Sequence, residues 1–407
     1  MSNLATPDLF SQDAAFDGGF LGNITKSCNK PVNRRLERWA MQSAARDILP
    51  SERVSKCLRT VSIHKHPNPS RMEQVYDLDY FRNVEILRSK ENFHYGNLMT
   101  CGSVWHCPIC AAKISEQRRS ELTQAVENWK NQGADVLLLT LTVPHYTHQK
   151  LQVVLDGLTS ALRRLTNSRE WKALAKEIGL YGRIRSLEVT YGQNGWHPHF
   201  HLLLFNYRSV DLAELQAKIL TLWKSAAVRS SLPEPNYHGV KVDNGAMAAQ
   251  YVGKWGIEHE MTKGHIKKSK EGYSPFDLLR VYLGASDSGR FLDGHASEAG
   301  RLFKEYAKVF KGKRQLVWSQ GLRNDLLFDL ADVSDQEAAD HVDDDAELFA
   351  LVPLKTWKIV LSRKLRGVVL EKCREGKPAL DSFLQSLVCD RDVSGQHRDP
   401  TFMEVPF

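Results

Sequence analysis

Three histidines stand at alternate positions in the segment HPHFH, residues 197–201. Side chains along a β-strand alternate between its two faces. If this segment is a strand, His197, His199 and His201 therefore share one face. Imidazoles two residues apart on a rigid strand can converge on one divalent ion. The spacing indicates a metal site, and the alternative is a hydrogen-bonded histidine face on a wet strand.

A carboxylate on the neighbouring strand can complete this site. The segment RIRSLEVTYG, residues 183–192, reads as a strand that turns at Gly192–Gly195 into the histidine strand, and it carries Glu188. Two histidines and a carboxylate suit a transition metal or Mg²⁺ or Mn²⁺, with positions left open for substrate oxygens. We predict His199, His201 and Glu188 as ligands. His197 is the weakest candidate because it lies at the strand entrance beside a proline.

A tyrosine and a lysine follow further along the chain with helical spacing. Tyr251 and Lys254 are three residues apart, so they would be neighbours on one helix face. A phenol is a poor nucleophile at neutral pH, with an unperturbed pKa of about 10. A metal that polarises a phosphate and a nearby ammonium would both favour its attack. The pattern alone is weak, since it occurs by chance in many helices, and it gains meaning beside the histidine strand.

Three of the seven cysteines crowd into ten residues, with the spacing Cys101-x5-Cys107-x2-Cys110. In a cytosolic chain such crowding favours metal over disulfides. A structural zinc site needs four ligands. Candidates for the fourth are Cys57, His106 and His94. We favour Cys57, because a distant partner would tie down the N-terminal segment, whereas His106 abuts Cys107. The alternative is a reduced, buried cysteine cluster.

The composition is that of a soluble globular protein with a basic balance. The chain of 407 residues has 42% apolar and 25% charged residues and a net charge of +7, which permits nucleic-acid binding without establishing it. Lysines and arginines concentrate at 263–270 and 301–314, whereas 325–347 is acidic. The sequence contains neither an apolar run long enough for a membrane span nor a signal peptide. We therefore expect a cytoplasmic protein.

The order of elements predicts the fold class. Strands are predicted at 136–144, 183–192, 197–205 and 239–243. They alternate with helices predicted at 111–131, 148–167, 211–228 and 245–261, and further helices at 275–283 and 298–311. Such an order builds an α+β fold, an antiparallel sheet with helices on one face.

Changes in composition suggest four segments. Residues 1–53 form a flexible and helical N-terminal segment, and residues 54–132 a zinc-binding region with its connecting helix. The sheet occupies 133–323, and 324–407 contains an acidic linker and a small helical C-terminal unit.

Several motifs occur in a fixed order that resembles the HUH endonuclease superfamily. They are LLLTLTVPH at 137–145, GWHPHFHLLL at 195–204 and AAQYVGKW at 248–255. Within that superfamily the chain is similar to the rolling-circle replication initiators of plasmids. CGSVWHCPICAAKI at 101–114, YSPFDLL at 273–279 and KGKRQLVWSQGLR at 311–323 are typical of a large bacterial branch. The resemblance covers about residues 54–323.

The resemblance implies an enzyme that nicks and rejoins one DNA strand. It implies a five-stranded antiparallel sheet with a ferredoxin-like core flanked by helices. Tyr251 would match the nucleophile that forms a 5′-phosphotyrosine, with Lys254 as its accompanying lysine. His199 and His201 would match the paired ligands of catalytic Mg²⁺ or Mn²⁺, with Glu188 as the third. Structural Zn²⁺, plasmid origin DNA, and a host helicase and DNA polymerase would be its partners.

One position departs from the family pattern. Some relatives carry a glutamate one helical turn before the tyrosine, proposed to activate water for the terminating cleavage. Met247 occupies that position here, which leaves the last cut of a replication round open. Two other functions are compatible with the sequence. One is an HUH transposase or relaxase with the same chemistry, and the other is a zinc-stabilised DNA-binding regulator without catalysis.

Overall fold

The computed structural model describes residues 34–62, 83–90, 92–253, 272–285 and 290–393. In chain order the helices and strands are α1 (Arg34–Ile48), β1 (Asn83–Ser89), β2 (Asn92–Tyr95), α2 (Pro108–Lys130), β3 (Asp135–Leu141), α3 (Leu151–Asn167), α4 (Arg169–Glu177), β4 (Leu180–Gly192), β5 (Gly195–Asn206), α5 (Leu212–Val228), β6 (Val240–Asp243), α6 (Gly245–Gly253), α7 (Pro275–Tyr282), α8 (Ala296–Phe310), β7 (Leu316–Trp318), α9 (Leu322–Leu326), α10 (Asp335–Asp340), β8 (Glu347–Pro353), α11 (Leu354–Ser362), α12 (Arg366–Arg374) and α13 (Lys377–Val393). Lys254, the basic segment 263–270 and the predicted flexible residues 1–33 lie outside the described residues.

The chain divides into two compact units. Of the described residues, those up to 55 and those from 101 to 339 form the larger unit, and those from 56 to 100 and from 340 onwards form the smaller. The four segments predicted from the sequence, with boundaries after residues 53, 132 and 323, stay a prediction. No helix within the described residues is both long and apolar enough to cross a membrane.

A five-stranded antiparallel sheet forms the centre of the larger unit. Its strand order is β6-β3-β5-β4-β7, and each neighbouring pair is antiparallel. The α+β prediction is therefore confirmed, with antiparallel sheets flanked by helices. The predicted helices of this unit are present with ends within three residues of expectation, apart from 245–261, whose later part is not described. The sequence analysis did not predict α4, β7 or α9.

Helices cover both faces of this sheet, so the prediction of helices on one face was wrong. On the face that carries the histidines, Trp129 of α2 and Val252 of α6 pack against Leu203 and Phe205. On the opposite face, Leu202 and neighbouring apolar side chains are fully buried, and α3 packs against β5. The reason lies in the middle of the sheet: β3 and β5 are apolar at successive positions, and such strands need cover on both sides.

The smaller unit combines a three-stranded sheet with the C-terminal helices. Its strand order is β2-β1-β8, and β8 pairs antiparallel with β1. The predicted C-terminal helices are present as α11, α12 and α13, but β8 was not predicted. The acidic stretch 325–347 was interpreted as a linker, yet it contains α10 and leads directly into β8. Within this unit the Trp357 indole N–H donates to the Arg59 carbonyl at 3.0 Å.

Candidate active site and cysteine metal centre

The β4–β5 hairpin sets the register of the histidine strand. The two strands are joined by a two-residue turn, Gln193 and Asn194, between the paired Gly192 and Gly195. Gly195 has a φ of +91°, which favours glycine. From this turn the pairing places Glu188 directly opposite His199. Residues opposite each other on paired strands share a face.

The predicted ligand atoms converge on one point. His199 Nε2 lies 3.4 Å and His201 Nε2 3.5 Å from Glu188 Oε2. One ligand atom from each of these residues lies within 4.8 Å of the others. The side chains of His199 and His201 are 13% and 16% exposed, and that of Glu188 is 36% exposed. The group is therefore held by the sheet but open to a ligand from solvent.

The second nitrogen of each histidine ring has its own partner. His199 Nδ1 lies 3.2 Å from the carbonyl oxygen of His197. Because a carbonyl can only accept, Nδ1 carries a proton, and Nε2 is the nitrogen that faces Glu188. His201 Nδ1 lies 2.9 Å from Thr140 Oγ1 on β3. The two Nε2 atoms and a carboxylate oxygen thus face one another, and with both nitrogens deprotonated the arrangement fits a divalent cation.

Thr140 was not predicted as a site residue. The signal available in the sequence is a single hydroxyl within the apolar strand segment LLLTL, residues 137–141. Its role depends on β3 pairing with β5, which places Thr140 opposite His201.

Tyr251 reaches this site from α6. The helix begins after Asn244, whose side-chain oxygen accepts from the backbone N–H groups of Ala246 and Met247. The Tyr251 hydroxyl donates to Glu188 Oε1 at 2.7 Å, and its ring centre lies 4.7 Å from that of His201. The two carboxylate oxygens of Glu188 therefore face different partners. One faces the histidine pair and the other holds the tyrosine hydroxyl.

The charge of Glu188 follows from its neighbours. Burial raises the pKa of its carboxyl, but hydrogen bonds with His199 and His201 and electrostatic attraction to the two rings outweigh burial. They hold the pKa of Glu188 well below its ordinary value. The carboxylate is consequently ionised at neutral pH, as both a cation and a hydroxyl donor require.

His197 lies outside this group. Its ring stacks on His145 with the centres 4.6 Å apart. Burial, followed by the charges of His199 and His145, lowers the pKa of His197 to about 3, so its ring is neutral at neutral pH. Its contribution to the site is the backbone carbonyl that orients His199.

The cysteines form a second, closed group. Sγ atoms of Cys57, Cys101, Cys107 and Cys110 all lie within 4.8 Å of one another, and all four residues are buried. Four converging, buried thiols fit structural zinc. Cys107 caps the N-terminus of α2, where the helix dipole favours a thiolate.

The two histidines considered as alternative ligands are placed elsewhere. His106 Nε2 lies 2.9 Å from the carbonyl oxygen of Ala307 on α8. Burial lowers the pKa of His106, so its ring is neutral and donates this hydrogen bond. His94 lies on β2 and is absent from the group of converging ligands among the described residues.

The Glu188, His199 and His201 group and three of the four cysteines fall within a region that matches a known family. The family model described as "Replication protein" matches residues 94–359, which is more than half of the chain. The chain belongs to the replication protein family. The matched region contains the cysteines at 101–110, the histidine strand and Tyr251.

Individual relatives agree with this family. A protein named "Protein rep" from Streptomyces lividans is 28% identical over 352 residues, which cover 69% of this chain and 76% of the relative. Another "Protein rep", from Bacillus amyloliquefaciens, is 25% identical over 47% of this chain and 50% of its own length. A "Neomycin resistance protein" from Streptomyces cyanogenus is 30% identical over 26% of this chain and 30% of its own length. No solved structure matches.

These matches support the role of a plasmid replication initiator for this replication protein. Met247, at the position where some initiators carry a glutamate, lies on α6 and is 40% exposed.

Proposed function

We propose that this replication protein initiates rolling-circle replication of a plasmid by nicking one strand of its origin. The observation that carries the proposal is the convergence of the Tyr251 hydroxyl, Glu188 and the pair His199 and His201 in a member of this family. Together they offer a nucleophile beside a site for a divalent cation, as phosphoryl transfer by a tyrosine requires.

In the proposed reaction, Tyr251 attacks the scissile phosphorus. A bond forms between the phenolic oxygen and phosphorus as the bond to the 3′ oxygen breaks. The phenolic proton leaves along the hydrogen bond to Glu188 Oε1, which is 2.7 Å long, and the departing 3′ oxygen gains a proton. The products are a 5′-phosphotyrosine and a 3′-OH that primes DNA synthesis. Since the phosphotyrosine retains the energy of the phosphodiester, rejoining needs no ATP.

The remaining groups assist this step. Mg²⁺ or Mn²⁺ at His199, His201 and Glu188 would supply Lewis-acid polarisation of the phosphate. His201 is oriented for this by Thr140, and His199 by the carbonyl of His197. Lys254 is proposed to neutralise charge that develops on the phosphate. Zinc at the four cysteines would be structural.

The proposed partners are plasmid origin DNA, single-stranded at the nick with a duplex flank, and the host helicase and DNA polymerase that extend the new 3′ end. Since Met247 replaces a family glutamate, the proposal covers the first cleavage.

A covalent-adduct assay tests the nucleophile. The nick is first mapped on the plasmid that carries this gene, and a labelled oligonucleotide spanning it is then incubated with protein and Mn²⁺. We expect a labelled adduct with wild type and with Tyr237→Phe, an exposed tyrosine used as control, but none with Tyr251→Phe. Equal adduct with Tyr251→Phe rejects the nucleophile. Binding of supercoiled plasmid without nicking by wild type would indicate a non-catalytic regulator instead.

A further inference from the structure

The outer face of α8 carries a stripe of cations. Arg301, Lys304, Lys308 and Lys311 are all exposed, and their spacing of three, four and three residues places them along one side of the helix and its end. We call these four residues the α8 stripe. Lys313 and Arg314 follow directly and are exposed as well.

The stripe is incompletely neutralised. Arg301 pairs with Glu298 at 2.6 Å, and Lys311 pairs with Glu52 at 2.9 Å. Within the described parts of the chain, Lys304 and Lys308 form no ion pair. Glu305 also lies on α8, but both of its carboxylate oxygens accept hydrogen bonds from other elements. Two ammonium groups one helical turn apart are therefore available to an anionic partner.

The inner face of α8 is anchored by the loop between Cys101 and Cys107, which we call the cysteine loop. Trp105 packs edge-on against Phe310, with ring centres 4.8 Å apart, and its indole N–H donates to the Lys313 carbonyl at 2.7 Å. His106 donates to Ala307, as described above. The loop between Cys101 and Cys107 thus supports the C-terminal half of the helix from inside.

Helix α8 is also tied to the histidine strand, through Glu305 and Tyr306. Trp196 Nε1 donates to Glu305 Oε2 at 3.2 Å, and the backbone N–H of Leu151 donates to Glu305 Oε1 at 3.1 Å. The Trp196 ring also stacks on Tyr306. Since Trp196 lies three residues before His199 on the same strand, the helix and the candidate active site are held in one fixed relation.

We propose that the α8 stripe binds the phosphate backbone of duplex DNA that flanks the nick. Arg301 and Lys311 are ten positions apart, which is about 15 Å along a helix and about four base-pair steps along the axis of a duplex. The cysteine loop acts indirectly, by holding α8 in place against the sheet. This inference rests on the proposed function, since the flank is defined by the nick, but duplex binding by the stripe can be measured without any nicking.

Salt-dependent binding tests the stripe. The variant Lys304→Ala/Lys308→Ala is compared with Lys172→Ala/Lys176→Ala, which removes two exposed lysines at the same spacing on α4. Alanine keeps both helices favourable. The probes are a labelled 30-base-pair duplex of arbitrary sequence and the single strand of the same sequence. Fluorescence anisotropy between 50 and 200 mM salt gives the slope of log K against log salt.

We expect the duplex slope to fall by about two for the stripe variant, because each lost phosphate contact removes about one. The control variant should keep the wild-type slope. Single-strand binding and adduct formation on the nick-site oligonucleotide should stay at wild-type level for both variants. The duplex-binding result does not depend on the outcome of the Tyr251 adduct assay, so the two proposals can fail separately.

Two results would overturn the inference. An unchanged duplex slope would mean that the stripe is a solvated face. An equal loss of affinity for the single strand would place the cleaved strand, rather than its duplex flank, along α8.

Discussion

The two candidate metal groups of this chain differ in burial and in how the chain builds them. The four cysteines are fully enclosed, whereas Glu188, His199 and His201 are partly exposed. The cysteine group combines a loop and a helix N-terminus with the distant Cys57, and the histidine group is built from one hairpin. Under the proposed function the two groups have different roles: the enclosed group would stabilise the structure and the open one would admit a substrate.

Chelation should separate the two groups most sharply. We expect EDTA at neutral pH to reduce adduct formation to background, and added Mn²⁺ to restore it, while zinc stays bound. An open site exchanges its ion with solvent, and four buried thiolates hold theirs. Metal content by mass spectrometry alongside the adduct assay checks this. Loss of zinc together with activity would mean that the groups do not differ in access.

Loss of a histidine ligand should abolish chemistry and leave the fold intact. For His201→Ala we expect the single-turnover nicking rate to fall by at least about 10³-fold, since a catalytic ion contributes several kcal/mol. The melting temperature should change little, because the side chain is partly exposed. His148→Ala, an exposed histidine nearby in sequence, is the control and should keep the wild-type rate.

Loss of a cysteine ligand should instead destabilise the fold. For Cys107→Ala we expect zinc to be lost and the free energy of unfolding to fall by more than about 3 kcal/mol, because binding of structural zinc contributes to folding. Thermal unfolding and zinc content measure this. Cys389→Ala removes an exposed thiol and should match wild type. A stable Cys107→Ala protein without zinc would favour a plain buried cysteine cluster.

The smallest effect is expected at Thr140. Thr140→Val removes the hydroxyl beside His201 Nδ1, and loss of such a partner lowers metal affinity by about 10-fold or somewhat more. Thr140→Ser keeps the hydroxyl and should bind Mn²⁺ as wild type does. Titration with Mn²⁺ gives both affinities. Equal affinities for valine and serine would show that the hydroxyl does not orient the ring.

Local periodicity was enough to predict much of the fold. Alternation in HPHFH placed His199 and His201 on one face, and the glycines at 192 and 195 located the hairpin that brings Glu188 opposite His199. The helices in the larger unit follow from apolar spacing and caps, because these signals lie within a few residues of each other in sequence.

Features that depend on distant residues could not be read in this way. Strand β8 pairs with β1 more than 250 residues earlier in the chain, and a single sequence holds no signal for that pairing. The contact of Tyr251 with Glu188 likewise depends on how α6 packs over the sheet. Cover on both faces of the sheet was missed because a short apolar run looks alike in a strand and in a helix interior.

The two-residue turn between β4 and β5 has a consequence for how this chain can vary. A shift of pairing by one residue would turn every side chain of β5 to the opposite face, and the histidines would leave Glu188. Natural insertions and engineered tags should therefore be tolerated in several surface loops but not between Gly192 and Gly195. The length of this turn sets the register of β5 against β4, and the candidate active site depends on that register as much as on the side chains themselves.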